Sequence, residues 1–142
     1  MLLGEDYFER FMPNGDTNID FKKLPGATGV QVPRRLTNAQ MEFLTIEYGV
    51  EFAQVYQLGP GKNGGGGKYI VFSGAVDKVE ITVGRDIMLI NHTHPGGTAS
   101  SSDKDRKVLR KLAKLGSPQK TSAIIPIGKP KIYFTKEGVK NV

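Results

Sequence analysis

The sequence predicts a single α/β domain, a mixed sheet held between helices. Three observations predict it. Two segments, at 39–48 and 103–115, repeat apolar residues at helical spacing behind capping residues. Six short segments rich in β-branched and aromatic residues surround them, bounded by Gly, Pro and Asn. The order is helix, strands, helix, strands, which suits a sheet packed against helices better than a bundle or an all-β sandwich.

Residues 1–36 are poorly patterned and read as an N-terminal linker or arm leading into a domain over 37–142. PNGDTN and LPGATG are turn-rich, with room for a short helix near Tyr7 to Met12. Thr37 or Asn38 can cap the first helix, AQMEFLTIEY, in which Met41, Leu44 and Tyr48 share a face and which Gly49 can end. Strands are expected at 52–58, 68–73, 79–83 and 87–91, the last most apolar and central. A loop over 92–102 leads to Ser102, an N-cap for DKDRKVLRKLAKL. There Val108, Leu109, Leu112 and Leu115 form the apolar stripe, Lys107, Lys111 and Lys114 face solvent, and Gly116 closes the helix. Strands at 121–127 and 131–135, joined by Gly128-Lys129-Pro130, complete the domain.

With 142 residues the chain suffices for one domain with a real core and is too short for two ordinary ones. Cysteine is absent, which excludes disulfides and thiolate metal sites; any metal must use His and carboxylate ligands. The net charge of +6 admits an acidic or nucleic-acid partner, but a solvated lysine face is the commoner source, so nucleic acid is not expected as the main partner. The first residues, MLLGEDYFERFMP, lack the basic start and apolar run of a signal peptide, and no transmembrane segment is found. The expectation is a cytoplasmic or exported protein without membrane contact.

The glycine run from Gly59 to Gly67 contains G-x-G-x-x-G, but a strand follows it where a dinucleotide site needs a helix. It is expected to be a mobile hairpin loop, with a flap beside the cleft as the other option.

The chemistry-bearing stretch is Asn91-His92-Thr93-His94-Pro95 and, further on, Ser102-Asp103-Lys104-Asp105. His92 and His94 are the chain's only histidines. In extended backbone, alternate side chains point the same way, so both imidazoles can reach one ion. Two histidines and a carboxylate make a three-ligand zinc site with a position open for water. Ser102 and Asp105 also fit a capping box, a compatible reading, because a carboxylate in a first helical turn is both dipole-stabilised and held in place.

His92, His94, Pro95, Ser102 and Asp105, with ten residues between His94 and Asp105, resemble the His-x-His-Pro…Ser-x-x-Asp signature of the JAMM (MPN+, JAB-domain) zinc metallopeptidases. The resemblance spans 37–135 as an order of elements, and the segment at 91–105 carries its specificity. It implies a JAMM/MPN-like, cytidine-deaminase-like fold, one Zn²⁺ per chain on His92, His94 and Asp105, and hydrolysis of peptide or isopeptide bonds by activated water. It also implies a glutamate base at the start of the first strand. Glu51, directly before FAQVYQL, is favoured over Glu47; Glu42 lies within the helix and Glu80 in an alternating, solvent-facing segment. The serine matching Ser102 donates to the developing oxyanion in that family. The compact loops and turn-rich leader look most like JAB domains of bacterial polymorphic toxins and effectors. That implies a protein or peptide substrate, a ubiquitin-like tag among the options, and an immunity or chaperone protein as a further partner. Two alternatives stand beside this: a RadC-like, DNA-associated JAB domain, and a non-catalytic MPN interaction module.

Overall fold

A computed structural model describes residues 29–76 and 79–139. In chain order its elements are β1 (Val30–Val32), α1 (Asn38–Tyr48), β2 (Phe52–Gln57), β3 (Lys68–Ser73), β4 (Ile87–His94), α2 (Asp103–Lys114), β5 (Ser122–Pro126), β6 (Ile132–Thr135) and β7 (Gly138–Val139). The seven strands make one sheet in the order β1-β3-β2-β4-β5-β6-β7. Every neighbouring pair is antiparallel except β4 and β5, which run parallel and are joined through α2. The expected α/β domain with a mixed sheet is therefore present.

Local sequence explains both helices. At the start of α1 the Thr37 hydroxyl accepts from the Gln40 N–H at 3.1 Å, while the Gln40 side-chain oxygen accepts from the Thr37 N–H at 2.8 Å. Gly49 ends the helix at φ 71°, a left-handed conformation that a side chain would resist. The cap of α2 is built likewise from Ser102 and Asp105.

The sheet buries both faces. Met41, Phe43 and Leu44 of α1 pack with Leu36, Phe52, Val71 and Ile125 on one side. Leu109 and Leu112 of α2 pack with Val55, Leu89, Ile124 and Phe134 on the other. Each such side chain contributes about 1.5–3 kcal/mol when fully buried.

Several expectations change. Val30–Val32, read as part of an arm, forms the edge strand β1 against β3, and Leu36 is buried in the core, so the domain begins before residue 37. The helix expected near Tyr7 lies outside the described residues. Residues 79–83 form no strand. Their alternation is real, because Val79, Ile81 and Val83 pack against the α2-side cluster while Glu80 and Thr82 are exposed. The edges of β2 and β4 that such a strand would need are already paired. Leu115, expected in the apolar stripe, is 45% exposed because α2 has ended one residue earlier. The glycine run is no flap beside the histidines. It follows Gln57, which pairs with Ile87 at the far end of β4 from His94, and its turn is held by the Tyr56 hydroxyl donating to the Gly64 carbonyl at 2.6 Å.

Candidate metal centre

β4 continues through His94, and Pro95, with no N–H to offer, follows it. The chain then turns back into α2, so the first turn of that helix lies beside the carboxyl end of β4. In open sheets this is where ligands are usually held. β2 is antiparallel to β4 and pairs Ala53 with His92, which brings Glu51 to the same end of the sheet.

The phase of β4 changes just before the histidines. Gln54 pairs with Asn91, but the next residue, Val55, pairs with Leu89, leaving Ile90 as an extra residue. This bulge moves the α2-facing set from Ile87 and Leu89 to His92 and His94. Asn91 and Thr93 consequently face α1. The Asn91 side-chain oxygen accepts from Gln54 Nε2 at 3.5 Å, and the Thr93 hydroxyl bonds Thr45 and accepts from the Phe52 N–H at 2.9 Å. Gln119 satisfies the backbone beside the bulge. Its Oε1 accepts from the Leu89 N–H at 2.6 Å, its Nε2 donates to the Leu89 carbonyl, and Ser122 Oγ donates to the same carbonyl at 2.8 Å.

His92, His94 and Asp105 converge: each offers a ligand atom, and these atoms lie within 4.8 Å of one another. His92 Nε2 and His94 Nε2 are 3.1 Å apart. Asp105 Oδ1 is 3.1 Å from the first and Oδ2 is 3.4 Å from the second. A tetrahedral zinc with bonds near 2.0–2.1 Å spaces its ligand atoms about 3.3–3.4 Å apart. The donor atoms and their separations fit such an ion, so the residues present can bind a metal.

Each ligand is oriented differently. His94 Nδ1 donates to the Thr98 carbonyl at 2.7 Å, which leaves Nε2 as the nitrogen directed at the cluster. Gly97 gives the turn its shape at φ 74°, where an added Cβ would stand 3.1 Å from the Ile127 carbonyl. His92 lies edge-on to Phe134, 5.7 Å between centroids, and its buried Nδ1 has no hydrogen-bond partner, so packing orients this ring. Asp105 is fixed by the cap: Ser102 N–H donates to Oδ2 at 2.9 Å, and Asp105 N–H donates to Ser102 Oγ at 3.1 Å. Arg106 steadies the preceding residue by donating to the Ser101 carbonyl at 2.8 Å and to its hydroxyl at 3.0 Å.

Electrostatics follow from this packing. Burial would raise the Asp105 carboxyl, but hydrogen bonds from His92 and His94, the His92 charge and the Ser102 N–H outweigh it and hold the group far below the usual carboxylate range. Burial would lower His94. The Asp105 hydrogen bond, the Thr98 carbonyl and the charges of Asp105 and Glu51 overcome that and hold it above 6.5.

Glu51 is 6% exposed, with Oε1 3.9 Å from His94 Nε2. Its backbone is pinned across the sheet end, its N–H donating to the Ala75 carbonyl at 2.8 Å and its carbonyl accepting from the Gly74 N–H at 3.0 Å. Glu51 and Asp105 both line a cleft of about 470 Å³. Glu47 sits in the last turn of α1 and does not line it. The expected ligands and Glu51 are thus brought together, while Ser102 is exposed at the α2 cap and bonds Asp105. Thr98, Gln119 and Thr93 were not anticipated as supports. Thr93 alone had a signal, since a residue between two alternate histidines must face the other side of the strand.

No protein-family model, no curated protein and no solved structure matches the chain. Among the described residues no helix is long and apolar enough to cross a membrane.

Proposed function

We propose that the chain is a zinc-dependent hydrolase of the JAMM type that cleaves peptide or isopeptide bonds. One observation carries the reading: a buried carboxylate outside the ligand cluster, Glu51, stands 3.9 Å from a nitrogen of the His92–His94–Asp105 group and lines a cleft. A structural metal site needs no such group, whereas hydrolysis needs a base beside the ion.

His92 Nε2, His94 Nε2 and an Asp105 oxygen would hold the metal. A zinc ion there supplies a Lewis acid and lowers the pKa of a bound water towards about 7. Glu51 takes a proton on its carboxylate and returns it to the leaving amine. The Ser102 hydroxyl oxygen accepts from Asp105 N–H, which leaves its own proton to donate to the oxygen that becomes negative as the carbonyl is attacked. The Thr98 carbonyl keeps the His94 proton on Nδ1 throughout.

The deciding experiment supplies peptide and isopeptide-linked substrates to chelator-stripped protein before and after one equivalent of zinc. Zinc-restored cleavage supports the reading. Zinc bound at one per chain with no cleavage of either substrate favours a binding module instead.

A further inference from the structure

The paired residues of β2 and β4 end at Ala53 and His92. One residue further, the Phe52 N–H goes to a side chain: it donates to the Thr93 hydroxyl at 2.9 Å. The same hydroxyl shares a hydrogen bond with Thr45 Oγ1, near the end of α1. Both threonines are buried. Thr93 stands between His92 and His94, and Phe52 directly follows Glu51. One hydroxyl thus joins the strand that carries the cluster to the residue beside the base.

The bond acts on a single peptide plane. The Phe52 N–H and the Glu51 carbonyl belong to the same rigid peptide unit. Its carbonyl accepts from the Gly74 N–H at 3.0 Å, and its N–H reaches Thr93 on the opposite side. The Glu51 N–H, in the preceding peptide unit, donates to the Ala75 carbonyl at 2.8 Å. Both peptide planes flanking the Glu51 Cα are therefore held, and with them the direction in which its side chain leaves the backbone. The bonds with Gly74 and Ala75 refer Glu51 to the end of β3, which supplies no ligand. The bond to Thr93 refers it to β4, which supplies two.

We propose that Thr93 is a positioning residue: through the Phe52 peptide, its hydroxyl holds Glu51 at its place 3.9 Å from His94 Nε2. Valine at 93 would keep the branched shape and remove the acceptor, leaving the peptide held from the β3 side alone. A base must stand within hydrogen-bond reach of the proton it takes, and a displacement of about 1 Å can cost on the order of 10²-fold in rate. The ligands have other supports, Phe134 against His92, the Thr98 carbonyl on His94 and the Ser102 N–H on Asp105. Metal binding is therefore not what Thr93 secures. The consequence for rate rests on the hydrolase reading; the consequence for the position of Glu51 does not.

The test uses full-length Thr93→Val and Thr93→Ser, with zinc content measured for each. Val30→Ala on β1, separated from β4 by β3 and β2, serves as the stability control. Crystal structures of zinc-loaded wild type and Thr93→Val locate Glu51, and cleavage of an isopeptide-linked substrate gives kcat and KM. Thr93→Val should keep its zinc, move the Glu51 carboxylate by about 1 Å or more, and lower kcat roughly 10²-fold with KM within about twofold. Thr93→Ser retains the hydroxyl and should recover kcat to within about threefold of wild type. Val30→Ala should melt lower at unchanged kcat. Added to Glu51→Gln, Thr93→Val should cost nothing further, because both changes act through one group. Zinc lost from Thr93→Val overturns the proposal, since Thr93 would then be holding the ligands. So does an unmoved Glu51, a full further loss in the Glu51→Gln background, or a serine variant as slow as the valine one. If Thr93→Val does not fold, Thr93→Cys, whose sulfur is a weak acceptor, replaces it under the same criteria. Wild-type protein that binds zinc and cleaves nothing sinks the hydrolase reading alone, and the position of Glu51 in the two crystal structures still decides the role of Thr93.

Discussion

His92 Nε2 and His94 Nε2 stand 3.1 Å apart, with the Asp105 carboxylate closing the triangle. That separation, with the carboxylate beside it, suits a metal ion shared by the three groups, so an added metal ion should stabilise the fold. One zinc per chain is expected, with stabilisation of about 2.7 kcal/mol at free zinc one hundred times its Kd. His92→Ala, His94→Ala and Asp105→Ala should each lose most of the bound zinc, since three protein ligands leave none to spare. Asp105→Ala also removes the carboxylate that accepts from the Ser102 N–H in the capping box, and its interaction with the helix dipole, and should cost up to about 1 kcal/mol in the absence of metal. Asp103→Ala shares the helix position but not the cluster and should keep its zinc. Metal analysis and thermal melts check this; full zinc in any of the first three variants removes that ligand.

Glu51→Gln should keep zinc and fold while lowering single-turnover cleavage by about 10²–10⁴-fold, the usual worth of general-base assistance. Glu47→Gln should change little, since that side chain sits on the last turn of α1 outside the cleft. Loss of activity in Glu47→Gln with Glu51→Gln still active would reverse the assignment.

The charges of the cluster set opposite pH trends for stability and for metal binding. Asp105 is lowered by its partners, so its contribution is complete above the ordinary carboxylate value of 3.8 and fades as pH falls below it. His94 is raised above 6.5, so its contribution is complete below 6.5 and is lost as pH rises through the higher folded value. Metal-free protein should therefore melt at lower temperature above neutral pH than near pH 6. Zinc must displace the His94 proton, so zinc affinity should increase over that same rise. Parallel melts and zinc titrations between pH 5.5 and 8.5 check both slopes. A metal-free melting temperature that climbs across this range contradicts the assignment for His94.

Gln119→Ala should weaken both the fold and the metal site. It removes two hydrogen bonds to Leu89 beside the bulge; the Leu89 carbonyl keeps its bond from Ser122 Oγ, but the buried Leu89 N–H is left unpaired, at about 1–3 kcal/mol. Since the bulge decides which way His92 and His94 point, zinc affinity should fall along with the urea midpoint. A variant that loses stability but binds zinc as tightly as before would show that the bulge persists without Gln119.

The sequence alone determined much of this. Helix caps are local chemistry, so Thr37, Gly49 and the Ser102–Asp105 box could be read residue by residue. Alternation placed His92 and His94 together, because side chains two apart in a strand share a face wherever that strand lies. The same rule failed at 79–83, where alternation marks one buried side but does not supply a strand partner. The tertiary structure alone decided which face the histidines take. Continued from Ile87 and Leu89, simple alternation would turn Asn91 and Thr93 towards α2 and the histidines towards α1. The extra residue Ile90 reverses that outcome, and it is visible only as a shift in pairing against Gln54 and Val55, which lie more than thirty residues earlier in the chain. A register is a property of two strands, and no window on either one contains it.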